Sequence, residues 1–278
     1  MFCRWFHRRW PTLSTIEKNA DTKNTVILPG KGKTAVVIVH GFSDTPQSLM
    51  PLAEHLNGTL GIECILPLLE GHGATIDDFE HARHTRWIAQ VEETYENAIK
   101  RFEHVFLIGF SMGGLLVTVV DAPQCAGRVL IAPAFDVGVN RQFKLLVVPF
   151  IKFFKRYSYK NPEHNTLNRN LYDPEMREKF RLYYDREPLT AIEEYGKVRK
   201  KALQRLQEIH GDAVVILSKT DRVVDFERTK AIITAKQPSW PVVELSRSGH
   251  MIPLDYEREI VFATATDFIK KGCKVDES

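Results

Sequence analysis

Residues 107–114 read Leu-Ile-Gly-Phe-Ser-Met-Gly-Gly, and no other stretch constrains the fold as tightly. An apolar, β-prone run, His104–Val105–Phe106–Leu107–Ile108, leads into it, and Met112–Gly113–Gly114–Leu115–Leu116–Val117 can open a helix. Between them lies Gly109-x-Ser111-x-Gly113. A strand that reverses sharply into a helix holds such a serine in a strained turn, with its hydroxyl pushed out at the carboxyl end of the sheet. Side chains at both flanking positions would collide with the neighbouring strand and helix, which calls for glycine. The turn also aims the Met112 amide, at a helix N-terminus, toward a place where an oxyanion can form. The pentapeptide alone is equally a glycine-rich turn with an incidental serine, so the rest of the chain has to be read with it.

The chain has room for one α/β domain with an insertion, or for two small domains, in its 278 residues. A net charge of +3 is too mild to argue for nucleic acid, and no recognition motif for it is present. Cys3, Cys64, Cys125 and Cys273 are scattered, with neither metal spacing nor a disulfide framework. A reducing, cytoplasmic setting is therefore the expectation, with no metal and no organic cofactor. No apolar run approaches the ~18 residues of a membrane span.

Strand and helix patterns alternate along most of the chain. Residues 25–28 read as a strand and turn, and 34–39 as a continuous β-branched run of the kind covered on both faces of a parallel sheet. That run ends in His40–Gly41–Phe42–Ser43, where Gly41 lets the backbone approach a ligand and the Phe42 amide can point into a site. Residues 47–56 follow with a helical pattern, 63–68 with a strand, then the loop Glu70–Gly71–His72–Gly73. His72 reads mainly as a turn residue. An amphipathic stripe covers 85–103, read as core packing, and residues 127–133 form another buried strand. After residue 190 the alternation resumes: helix 191–209, strand 213–217, helix 226–236, strand 241–245 and helix 257–271.

Two segments stand outside this pattern. Residues 135–190 break the alternation; 143–157 are apolar, aromatic and basic, and 159–174 are polar and turn-rich. They read as a helical cap inserted between a first core part, 25–134, and a second, 191–278. The cap either covers the active face with an apolar underside for an acyl chain, with a basic rim facing lipid, or packs a core of its own. Residues 1–24 form an N-terminal tail whose start, Met1 to Pro11, is basic and aromatic. It is a packed or frayed end, a membrane- or partner-touching surface, or an Arg-rich presequence.

Order along the chain supplies the chemistry. A serine in a tight turn, an acid after a later strand and a histidine after the last strand is the Ser…Asp…His arrangement of the α/β-hydrolase fold. A parallel sheet brings Ser111, Asp221 and His250 to one edge. A serine hydroxyl needs an adjacent base, which His250 supplies; Asp221 holds the imidazole in the right tautomer. The Phe42 and Met112 amides are candidate donors to a tetrahedral oxyanion, each contact worth about 3–4 kcal/mol. Asp225, one turn beyond Asp221, is a rival acid, whereas Asp212 precedes its strand and belongs at the wrong edge. His40 and His72 also neighbour the site.

The pieces His40–Gly41–Phe42, Glu70–Gly71–His72–Gly73, Gly109–Phe110–Ser111–Met112–Gly113–Gly114, the Asp221 loop and Ser248–Gly249–His250 together resemble serine α/β-hydrolases of the monoacylglycerol lipase and small bacterial carboxylesterase type. In that family the amide donors follow the His-Gly pair and the serine, which implies Phe42 and Met112 here. The resemblance implies a mostly parallel sheet with helices on both faces and a helical cap. It also implies an esterase acting on an ester or lipid with an apolar acyl chain, with monoacylglycerol the leading substrate. The chain departs from its relatives in Ser218–Lys219–Thr220, where a glycine usually precedes the acid, in Glu70, where many carry a basic residue, and in its long basic cap. A thioesterase, an amidase or a C–C hydrolase can run on the same triad, and a binding protein can keep the site without turnover. Oligomeric state stays open.

Overall fold

The structure, a computed structural model, describes residues 24–159, 170–179 and 186–274. The tail at 1–23 and most of the turn-rich tract at 159–174 lie outside the described residues. The main sheet contains β1 (Val26–Leu28), β2 (Thr34–Val39), β3 (Glu63–Leu66), β4 (His104–Phe110) and β5 (Cys125–Ile131). A separate ribbon pairs β6 (Tyr157–Tyr159) antiparallel with β7 (Arg186–Pro188). The strands β8 (Ala213–Ser218) and β9 (Val242–Leu245) complete the main sheet. Its seven strands run β1-β3-β2-β4-β5-β8-β9, all parallel except β1, which pairs antiparallel with β3.

All six residues of β2 are buried, and so are all six of β8, because helices cover the sheet on both faces. The alternation of side chains splits the core in two. Val37, Val39, Leu107, Leu130, Val215 and Leu217 face one cluster, with Trp87, Val91 and Tyr95 of a helix at His84–Ile99 and Leu115 and Leu116 of a helix at Met112–Val119. Val36, Ile38, Phe106, Ile108, Val129 and Ile216 face the other, with Leu52 and Leu56 of a helix at Met50–Leu60 and Val261, Phe262 and Ile269 of a helix at Arg258–Lys274.

Boundaries moved for local reasons. The strand expected over 63–68 stops at Leu66, because Pro67 has no N–H for the ladder. The helix expected to reach residue 103 ends at Ile99, and the Glu103 and His104 amides both bond the Lys33 carbonyl, pinning the start of β4 beside β2. The short helix Ile76–His81 was not expected. Its capping box, in which Thr75 and Asp78 exchange side-chain bonds to backbone amides, is the signal for it. Within 135–190, a helix spans Gly138–Ile151 and a shorter one Pro174–Lys179.

The strand order places the site. From β2 the chain steps outward to β3, then returns to the other side of β2 as β4. Loops leaving the carboxyl ends of β2 and β4 therefore diverge from this reversal and leave a crevice.

Candidate active site

Ser111 sits at the crevice with φ +54°, a conformation that costs a non-glycine residue free energy and is held by its surroundings. Its amide bonds the Ile131 carbonyl at 2.9 Å, which locks the turn to β5. A Cβ added to Gly113 would lie 2.0 Å from the Val39 carbonyl oxygen, and one on Gly109 2.3 Å from the Gly113 oxygen. Both glycines are thus required by close backbone approach, as the motif suggested.

The His250 ring joins the other two expected residues. Its Nε2 lies 3.0 Å from Ser111 Oγ and its Nδ1 2.7 Å from Asp221 Oδ2. Asp221 Oδ1 accepts the Val223 and Val224 amides at 2.6 and 3.0 Å, so the carboxylate is fixed as well as paired. Its side chain is 2% exposed. Asp225 plays another part: it caps the helix Phe226–Lys236 by accepting the Arg228 amide at 3.0 Å.

Gly41 passes close over the serine; a Cβ there would meet Ser111 Cβ at 3.3 Å. That brings the next peptide, Phe42, beside the turn that carries Met112. Neither amide has a protein acceptor among the described residues. The Phe42 ring is wedged among His72, Phe79, Trp87 and Tyr195, at centroid distances of 5.0 to 6.4 Å. His40 is fully buried: its Nε2 accepts the Leu69 amide at 3.2 Å while Nδ1–H donates to the Gly41 carbonyl at 2.9 Å. Burial pushes its pKa down to about 4, so it is a neutral latch between two loops. His72 is buried too, its pKa driven well down by burial and by His40, and its Nδ1 bonds the Glu70 carbonyl at 3.1 Å.

Three acids in the site were missed by sequence reasoning. Asp255 is fully buried and accepts four amides: Gly249 and Tyr172 on one oxygen, Asp173 and Tyr256 on the other, at 2.7 to 2.9 Å. It ties the loop carrying His250 to residues 172 and 173. Glu257 adds bonds from the Ser246, Arg247 and Ser248 amides at 2.8 to 3.1 Å. The only signal in the sequence was an acid after a Pro-Leu pair, and nothing local says which amides it serves. Asp255→Ala leaves four amides without this acceptor, that of Gly249 buried. We expect a loss of at least about 3 kcal/mol in urea unfolding, with lower kcat in the folded fraction. A change within 1 kcal/mol would contradict this.

Asp44 is the third. It follows Ser43, whose φ of +56° turns the loop sharply, and accepts the Ser48 hydroxyl at 2.6 Å. Burial raises its pKa to about 6, against the bond from Ser48, the Thr45 and Gly41 amides and the charge of His250. Because burial holds the folded-state pKa above the ordinary carboxylate value, the fold binds a proton there that the unfolded chain releases, and stability falls as pH rises toward about 6. Asp44→Asn removes this, so urea unfolding should show a smaller loss of stability between about pH 4 and about pH 6 in the variant than in the wild type. An identical pH dependence in the two proteins would contradict the reading.

Residues 36–264 match the alpha/beta hydrolase family. The chain is 28% identical over 244 residues to the thermostable monoacylglycerol lipase of Bacillus sp. (strain H-257), covering 86% of this chain and 92% of that one. It is 23% identical over 247 residues to a carboxylesterase of Bacillus subtilis (strain 168), covering 86% and 94%. Among solved structures, a soluble variant of the monoglyceride lipase of Saccharomyces cerevisiae superimposes with a TM-score of 0.74 at 14% identity, covering 89% of this chain and 91% of that one. A metagenome-derived lipolytic enzyme gives 0.75 at 23% identity, with 90% and 98% covered. At those identities the two structures speak to the fold.

Proposed function

The chain belongs to the alpha/beta hydrolase family, and from that premise we propose that it is a serine esterase for carboxylic esters with an apolar acyl chain, a monoacylglycerol foremost. The observation that carries the reading is the continuous relay from Ser111 Oγ through the His250 ring to Asp221. In the proposed reaction Ser111 Oγ attacks the ester carbonyl carbon while His250 Nε2 takes its proton. Asp221 stabilises the imidazolium without being protonated. The oxyanion accepts the Phe42 and Met112 amides. His250 then gives its proton to the leaving alkoxide, and the alcohol departs, leaving an acyl ester on Ser111. Water, deprotonated by His250, attacks that ester and releases the carboxylic acid.

Residues 135–190 act in this proposal as a cap over the crevice. Support comes from Val148, Leu189 and Ile192, a cluster against which the Phe42 ring packs, and from Ser43 Oγ, which donates to Glu187 at 3.4 Å. The relatives named above supply the ester and monoacylglycerol part of the reading. No metal or cofactor takes part in it.

Stopped-flow hydrolysis of an activated ester tests the proposal. A product burst approaching one equivalent, followed by slower turnover, is expected, together with release of fatty acid from monoacylglycerol. Correctly folded protein that shows neither burst nor turnover is a binding member of the family. A clear preference for thioesters or amides would replace the ester assignment while leaving the triad in place.

A further inference from the structure

The helix Gly138–Ile151 is apolar on two opposite sides. Val148 is fully buried against Leu189 and Ile192, and Leu145 packs on the same cluster. The other side leaves Phe143, Leu146 and Phe150 exposed by 64, 71 and 73%, at spacings of three and four residues that place them on one stripe. The turn that follows adds Phe153 at 78% and Phe154 at 94%. Of nine large hydrophobic residues exposed among the described residues, six fall between 143 and 154, while Ile27, Tyr256 and Ile260 stand elsewhere. Scattered apolar residues need no explanation, but a contiguous patch of this kind does.

The charge beside the patch decides what covers it. From residue 139 to residue 156 the chain carries five cations, Arg141, Lys144, Lys152, Lys155 and Arg156, and no Asp or Glu. Lys152 is paired with Glu193, and Arg156 with Asp77 and Glu80. Lys155 is exposed and has no acidic partner among the described residues. Exposed phenylalanines bordered by cations match an interfacial helix seated on an anionic bilayer, the aromatic rings entering the acyl boundary and the cations meeting lipid phosphates. Two alternatives fit less well. Lysine is depleted from protein–protein interface cores, and a second copy would bring the same positive charge to its partner. The tail at 1–11 carries Arg4, Arg8 and Arg9 and no acid, so it would meet this surface with like charge.

We propose that the outer face of this helix and the Phe153–Phe154 turn form a docking surface for an anionic lipid bilayer. The proposal goes beyond the esterase reading and does not depend on it. The inner face of the same helix packs on the cluster that holds the Phe42 ring, so docking sets the site's roof against the lipid in which an apolar ester resides.

Co-sedimentation of the full chain with phosphatidylcholine vesicles, with and without phosphatidylglycerol, tests this. The wild type should bind the anionic vesicles, more weakly without phosphatidylglycerol and more weakly at high salt. Phe150→Asp combined with Phe154→Asp should lower the bound fraction about tenfold or more, in line with losing two buried rings. Phe154→Asp alone, at the most exposed position, should give an intermediate loss. Ile27→Asp, at an exposed site elsewhere, should leave binding unchanged. Hydrolysis of a soluble short-chain ester reports folding and should be unaffected in all three variants. Wild-type binding by the double variant, or no binding by the wild type, overturns the proposal. So does light scattering that shows a dimer broken by the double variant, which would make this face a self-association surface. If the esterase reading fails instead, ester turnover is absent while vesicle binding persists.

Discussion

His250→Ala is expected to lower kcat on a soluble ester by about 10⁵- to 10⁶-fold, with KM within a few-fold of wild type. The imidazole is the only base within hydrogen-bond distance of Ser111 Oγ among the described residues, at 3.0 Å. Without it the hydroxyl keeps its proton at neutral pH, and the departing alcohol has no acid. Ser111→Ala should cost about as much. Because the two act on one proton transfer, the double variant should be scarcely slower than either single one. In the proposed mechanism, what survives is the contribution of the Phe42 and Met112 amides and of binding. Steady-state kinetics on protein of verified fold measures this. A loss of less than tenfold in either variant, or losses that multiply in the double variant, would separate the two residues mechanistically.

Gly113→Ala is expected to remove more than about 4 kcal/mol of stability, most of what an ordinary domain has. The new Cβ would stand 2.0 Å from the Val39 oxygen, 2.6 Å from the Val39 carbonyl carbon and 2.8 Å from the His40 oxygen. All three are backbone atoms at the carboxyl end of β2, in the middle of the sheet, so no side chain can swing aside. The helix Met112–Val119 would have to lift from the sheet and carry Ser111 with it. Gly58 gives the opposite case: it lies within the helix Met50–Leu60 and a Cβ there meets nothing within 4 Å. Gly58→Ala should stabilise by about 0.5–1 kcal/mol. Urea unfolding of the pair is the measurement. A Gly113→Ala protein within 1 kcal/mol of wild type would mean that the turn is not held by backbone contact.

The parallel sheet was legible because strands covered on both faces must be apolar throughout, and runs such as 34–39 and 213–217 have no other ready explanation. The order Ser111, Asp221, His250 was legible because each follows a strand, and a parallel sheet collects strand ends. These are the three side chains found in contact. What escaped was whatever depends on partners distant in sequence. Nothing near residues 26–28 says that β1 runs antiparallel beside β3 rather than beside β2. Tyr157–Tyr159 and Arg186–Pro188 are too short to announce a ribbon. Asp255 and Asp44 read as loop acids; their roles arise from the Gly249 and Tyr172 amides in one case and from burial beside the Ser48 hydroxyl in the other. The short helix Ile76–His81 was a different kind of omission, since its Thr75–Asp78 box lies in plain view.

Labelling with a fluorophosphonate followed by peptide mass analysis tests the central claim most directly. Attack on phosphorus needs an activated hydroxyl, and displacement of fluoride leaves a stable phosphonyl ester on it. The expected result is one equivalent of adduct on the peptide containing Ser111, absent in Ser111→Ala and formed far more slowly in His250→Ala. An adduct on another residue, or a Ser111→Ala protein that labels at the wild-type rate, would contradict the account.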